Sequence, residues 1–124
     1  MKKIFSFLTL TLCLLFTAMG VNAQNVTVNP GGGSYPTLQA AFDAINAGTH
    51  TGAVTVTIIN STTEAAPCVL NSSGAGSASY TSVSIRPSND NVVVSGPTVT
   101  GRGLIELNGA DNVTINGDNP NSGG

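Results

Sequence analysis

Hydrophobic and polar positions change their period along this chain. Leu38, Ala41, Phe42 and Ile45 fall at i, i+3, i+4 and i+7. That single apolar stripe predicts an amphipathic helix, with Pro36 at its first position and Gly48 as its C-cap. Before it, residues 25–29 (NVTVN) alternate as a first strand and stop at Pro30 and three glycines. After it the period is two: Val54, Val56 and Ile58 alternate with Thr55 and Thr57, which predicts strands with one face turned inward. Residues 64–70 predict a second short strand interrupted by Pro67, and 71–79 a loop of small residues. Val83 and Ile85 open a further strand that Pro87 stops, and 104–107 another.

Two segments repeat one another. Residues 90–96 read DNVVVSG and residues 111–117 read DNVTING, an offset of 21 at every position. A β-branched run repeated at such a spacing is how stacked parallel β-coils are written. The spacing predicts Val92 on Val113, Val94 on Ile115, and Asn91 on Asn112 as an amide ladder. Val83 and Ile85 correspond to Ile105 and Leu107 with one residue slipped in the turn. Inward positions are then Val83, Ile85, Val92, Val94, Ile105, Leu107, Val113 and Ile115, with Arg86, Val93, Glu106 and Thr114 outward. The fold expected is all-β: the start of a right-handed parallel β-helix, or solenoid. The N-terminal α-helix caps it, covering the apolar cross-section and strand edges of the first coil.

The first residues follow a different logic. Lys2 and Lys3 precede the apolar run 4–16, and Val21-Asn22-Ala23 offers small side chains for cleavage before Gln24. The pattern is that of a signal peptide over 1–23. The run is short for a retained span, and Cys13 lies mid-run without the small residue that a lipid anchor needs. Residues 24–50 then form the first strand and capping helix, and 51–124 the first coils.

Composition narrows the partners. After residue 23 no lysine remains, and Arg86 and Arg102 face six carboxylates. Nucleic-acid and anionic-lipid surfaces need clustered Lys and Arg, so neither partner is expected, nor is a membrane in the mature form. Cys68 is then the sole cysteine, and no internal disulfide can form.

Candidate chemistry is sparse. In-register stacking would bring Asp90 and Asp111 about one strand spacing apart. A calcium bridge, with Asp118 as a third ligand, is one reading, and a carboxylate pair for glycoside hydrolysis another. The third is that each Asp bonds its own turn backbone, which turn chemistry favours. No cofactor is otherwise expected. His50 has no second His or Cys nearby for a metal. Cys68 lacks a paired base, so a buried inert thiol is favoured over a nucleophile. Tyr35 and Tyr80 are read as packing residues rather than a sugar platform. Arg86 and Arg102 are read as solvated, or paired with Glu106 or Asp90, rather than as an acidic-polysaccharide site. The Asn-x-Ser/Thr triplets at Asn25, Asn60, Asn71 and Asn112 matter only in a glycosylating pathway, and the leader looks bacterial.

The segment SYPTLQAAFDAINAG (34–48) resembles the opening of pectin methylesterase-type right-handed β-helix proteins. With VTVTI (54–58), VSIRP (83–87) and LIELNGADNVTING (104–117), the chain looks like the N-terminal part of secreted, pectin-lyase-like surface proteins of Gram-negative bacteria. The resemblance implies a secreted or cell-surface module, structural or adhesive, on the outer surface of such a bacterium. Polysaccharide or another cell-surface component is the partner it implies. The alternative is the N-terminal part of a carbohydrate-active enzyme acting on pectin-like or other polysaccharides, although no catalytic motif of the family matches a position here. A solenoid needs about three repeats and a cap at each end, so a longer protein, or self-association through the uncapped C-terminal end, is expected.

Overall fold

The computed structural model describes residues 23–122; the leader expected over 1–23 falls almost wholly outside them. Eight strands and one helix run in the order β1 (Gln24–Val28), α1 (Leu38–Asn46), β2 (Thr51–Ile58), β3 (Thr62–Thr63), β4 (Cys68–Asn71), β5 (Ser79–Pro87), β6 (Val94–Ser95), β7 (Ile105–Asn108) and β8 (Val113–Ile115). Every strand pair is parallel. The broad face is the sheet β1-β2-β5-β8, and the two narrower faces are β3-β6 and β4-β7. The chain is therefore a parallel β-solenoid of about three turns, as the alternating Val and Ile runs imply.

The turn length differs from the sequence expectation. Val54 lies opposite Val83, and Val83 opposite Val113, so a coil takes 29 and then 30 residues rather than 21. Val94 stacks on Thr62, and Ile105 and Leu107 stack on Cys68 and Leu70. Val92 and Val94 therefore do not lie on Val113 and Ile115, and Ile105 and Leu107 do not lie on Val83 and Ile85. What the 90–96 and 111–117 segments share is a corner. Asn91 and Asn112 both take positive φ, 58° and 55°, the left-handed conformation that asparagine tolerates better than other non-glycine residues. The same Asp-Asn-Val corner leads toward β6 on one face and into β8 on another.

The amide ladders follow the true register. Asn60 Nδ2 donates to Asn29 Oδ1 at 2.8 Å, and Asn108 Nδ2 donates to Asn71 Oδ1 at 2.9 Å. No Asn91–Asn112 ladder exists between these non-stacked corners.

The helix is shifted slightly from its expected start. Thr37, not Pro36, bounds it: extended Thr37 is the N-cap and its Oγ1 accepts from the Ala40 amide at 3.1 Å. Leu38, Ala41, Phe42 and Ile45 are all buried, as the stripe predicts. At the other end, Gly48 N–H donates to Ile45 O at 3.0 Å and Thr49 N–H to Ala44 O at 2.9 Å, a Schellman closure. Gly48 has φ of +75°, and a Cβ there would collide with the Ser77 carbonyl.

The core runs from the helix through the inner faces of β1, β2, β4 and β5, and includes Val26, Phe42, Val56, Leu70 and Ile85. Val92, Val94, Ile105 and Val113 are only partly buried, while Leu107 and Ile115 are exposed. Their inward parity is as expected; among the described residues no further coil covers them.

Candidate functional site

Three polar clusters and one groove concentrate what chemistry the described residues offer. The first cluster is buried beneath the helix. Glu64 follows β3 and is 2% exposed. Its Oε1 accepts from Leu38 N–H at 3.0 Å and from Thr62 Oγ1 at 2.7 Å, and its Oε2 from Gln39 N–H at 2.9 Å. With Thr37 on Ala40, the first three helix amides all have acceptors. A carboxylate also suits the positive end of the helix dipole. Cys68 is buried in the same layer. Burial, and then the Glu64 charge beside it, push its thiol up to about 12. At neutral pH that shift keeps the sulfur a protonated, inert thiol, even though the Glu64 carboxylate stands beside it.

A second cluster joins the helix to the edge of β4. Asn46 Nδ2 donates to Val69 O at 2.8 Å, and Asn46 Oδ1 accepts from Asn71 N–H at 2.9 Å. One carboxamide thus makes the two bonds that a neighbouring strand would make. Tyr80 extends this cluster, donating its buried hydroxyl to Asn71 O, and burial raises its pKa.

The third cluster gathers residues from β1, the glycine turn and the helix exit. Tyr35 Oη lies 2.7 Å from His50 Nε2, and His50 Nδ1 lies 2.9 Å from Gln24 Oε1. The Tyr35 and His50 rings meet edge to face, 5.6 Å between centroids. Gln24 Oε1 can only accept, so Nδ1 donates to it; in the neutral imidazole Nε2 then accepts from the Tyr35 hydroxyl. His50 is held by two neutral partners and has no carboxylate to orient it as a base.

The aspartates that in-register stacking would bring together are placed otherwise. Asp90 lies at the corner preceding β6, where its Oδ1 accepts from Asn119 Nδ2 at 2.8 Å. The Asn119 and Ser122 side chains hold its carboxyl below the usual range. Asp111 lies at the corner before β8 on the broad face. The two do not occupy equivalent positions of stacked coils. The Asp118 backbone N–H donates to Asn116 Oδ1 at 2.9 Å. No group of three His, Cys, Asp or Glu side chains able to hold a metal is present among the described residues. Arg102 is paired with Glu106, Nε and Nη2 each 2.7 Å from a carboxylate oxygen, while Arg86 is in no ion pair among the described residues.

The groove lies at the open end of the solenoid. It encloses about 150 Å³. Val92, Val94, Ile105 and Ile115 form its apolar walls, with Arg86 and Asn116 on its rim. Ile115, in its wall, is 52% exposed.

Sequence reasoning missed Glu64, Asn46 and Gln24. Glu64 had one indirect signal: the first turn of the helix carries no acidic residue, so its amides needed an acceptor from elsewhere. Among the described residues no helix is long and apolar enough to cross a membrane. No family model, curated protein or solved structure matches this chain.

Proposed function

We propose that this chain is an exported, non-catalytic β-solenoid module that serves a structural or adhesive role on the outer surface of a Gram-negative bacterium. One observation carries the reading. The buried or linked polar groups that could do chemistry are engaged in holding the coils: Glu64 caps the helix, Cys68 keeps its proton, and His50 is spanned by Tyr35 and Gln24. None of these faces the groove, whose walls are apolar. The leader pattern over residues 1–23 supports export, and the acidic, lysine-free remainder disfavours nucleic acid and anionic lipid. A surface glycan is the partner class that the family resemblance favours.

The test is expression of the full sequence in a Gram-negative host, followed by fractionation, mass measurement of the product and a pectin-depolymerisation assay. The expected product begins at Gln24, lies outside the inner membrane and releases no oligosaccharide. A product that keeps Met1 and stays in the cytoplasm overturns the export reading. Depolymerisation that is lost on mutation of this chain overturns the non-catalytic one.

A further inference from the structure

We infer that removal of the leader makes Gln24 a self-modifying terminus. Its freed α-amine closes on its own side-chain carboxamide to give a pyroglutamyl residue, and His50 Nδ1–H is the donor to the reacting carbonyl. The inference rests on the export reading above, which places cleavage before Gln24, and adds what happens next at that terminus.

The fold brings the reacting groups together. Gln24 is the first residue of β1 and pairs with Val54 of β2. It shares the parity of buried Val26 and Val28, so its side chain turns toward the inner side of the strand. There its Oε1 lies 2.9 Å from His50 Nδ1, and Tyr35 Oη lies 2.7 Å from His50 Nε2. Ile59 N–H donates to Val28 O at 2.9 Å. The alternation of a parallel ladder therefore turns the N–H of Gln24 toward β2 as well. The nitrogen that cleavage frees is held by the strand, and the carboxamide of the same residue is held by His50.

The reaction is an amide exchange within one residue. The unprotonated α-amine attacks Cδ, and the Nα–Cδ bond closes a small lactam ring without a bimolecular encounter. Negative charge collects on Oε1, where Nδ1–H already donates. The Cδ–Nε2 bond then breaks, and the proton lost by the amine leaves on Nε2 of Gln24 as ammonia. Nothing is oxidised or reduced, and no co-reactant is consumed. His50 acts as a donor and not as a base, so it needs no carboxylate behind it. Tyr35 reaches the carboxamide only through the imidazole. By donating to His50 Nε2 it keeps the proton on Nδ1, and is a positioning residue. The event happens once, on the chain itself.

The product suits the place better than a free terminus does. An α-ammonium would set a charge at the start of the ladder, beside a cluster whose members are Gln24, His50 and Tyr35 and which holds no carboxylate to pair with it. The lactam is neutral. It retains a carbonyl oxygen to accept from His50 and one N–H to donate into the ladder.

The test uses the exported product of the full sequence. Intact mass and terminal peptide mapping should show a chain that starts at Gln24, is lighter by one ammonia and is blocked to stepwise N-terminal sequencing. Protein collected soon after a short pulse of expression should complete the loss in buffer alone. In urea, which separates His50 from Gln24, the same protein should cyclise at least about tenfold more slowly. His50→Ala should slow the folded chain by a similar factor, with strand circular dichroism retained; if that variant does not fold, the urea comparison decides. Tyr35→Phe should also slow it, and the imidazole nitrogen NMR shifts should show that the Nδ1–H tautomer has lost its dominance, which loss of a merely packing tyrosine would not produce. A product that begins at any other residue overturns the cleavage site of the export reading and this inference with it. A product that begins at Gln24 and keeps its free amine, one that cyclises as fast in urea as when folded, or a folded His50→Ala chain that cyclises at the original rate overturns this inference alone.

Discussion

Val26, Val56, Ile85 and Ile115 form one column across the broad sheet, each opposite the next. The first three are buried, while Ile115 is 52% exposed. The side chains are alike and so is the strand pattern, so the difference comes from what lies above and below. At the N-terminal end the helix lays Phe42 and Leu38 over the core, Glu64 reaches up to its amides, and Asn46 completes the β4 ladder. At the C-terminal end of the described residues, β6, β7 and β8 are the outermost strands of their faces. A solenoid coil cannot bury its own cross-section. The two ends show one coil chemistry with and without a neighbour.

The sharpest way to break the comparison is to truncate one large apolar side chain at each end. Phe42→Ala should cost about 3–5 kcal/mol, because it opens a cavity in a packed layer. Ile115→Ala should cost no more than about 1 kcal/mol, near the range of surface changes. Urea unfolding of the two variants measures the gap, and equal losses would mean that the ends are equally packed.

Next in size is the buried cap. Glu64→Ala removes the acceptor of three donors and should cost about 2–3 kcal/mol, the range for hydrogen bonds to a charged group. Glu64→Gln should cost less, since its amide oxygen still accepts. Thermal unfolding of both separates loss of the acceptor from loss of the charge.

Asn46→Ala then tests whether a side chain stands in for a strand. It leaves the Val69 carbonyl and Asn71 amide without partners, for about 1–3 kcal/mol. The specific readout is faster hydrogen exchange at Asn71, with the amides that join β2 to β5 unchanged.

Cys68 gives a smaller, pH-dependent effect. Burial and Glu64 raise its thiol from 9.0 to about 12. The unfolded thiol therefore ionises first as pH rises. The stability this contributes is present below pH 9.0 and is lost as pH climbs toward about 12. Cys68→Ala should flatten that alkaline decline, and the native thiol should resist disulfide reagents at pH 8. Rapid labelling of the folded protein would contradict its placement. The smallest effect belongs to Arg102→Ala: its pair with Glu106 is well formed but exposed, and such pairs move unfolding temperatures little.

The period of two and the helix stripe were legible in the sequence because each is a local consequence of which face is buried. Leu38, Phe42, Val56 and Ile85 could be placed on that ground alone. The coil length was not legible. Asp90-Asn91-Val92 and Asp111-Asn112-Val113 are alike because both corners need a left-handed residue before a strand, and a three-faced coil uses that corner on more than one face. Identity of corners carries no register; only the pairing of Val83 with Val113 does. The polar clusters were illegible for a related reason. Glu64 meets Leu38 across 26 residues, and Asn46 meets Asn71 across 25. Nothing in the residues near either partner announces such contacts.

Residue-resolved amide hydrogen exchange tests the contrast between the ends most directly. The account predicts slow exchange at Asn71, held by the Asn46 carboxamide, and fast exchange at Val113 and Ile115, whose amides face outward from the last strand. Protection of Val113 and Ile115 equal to that of Asn71, or an unprotected Asn71, would contradict it.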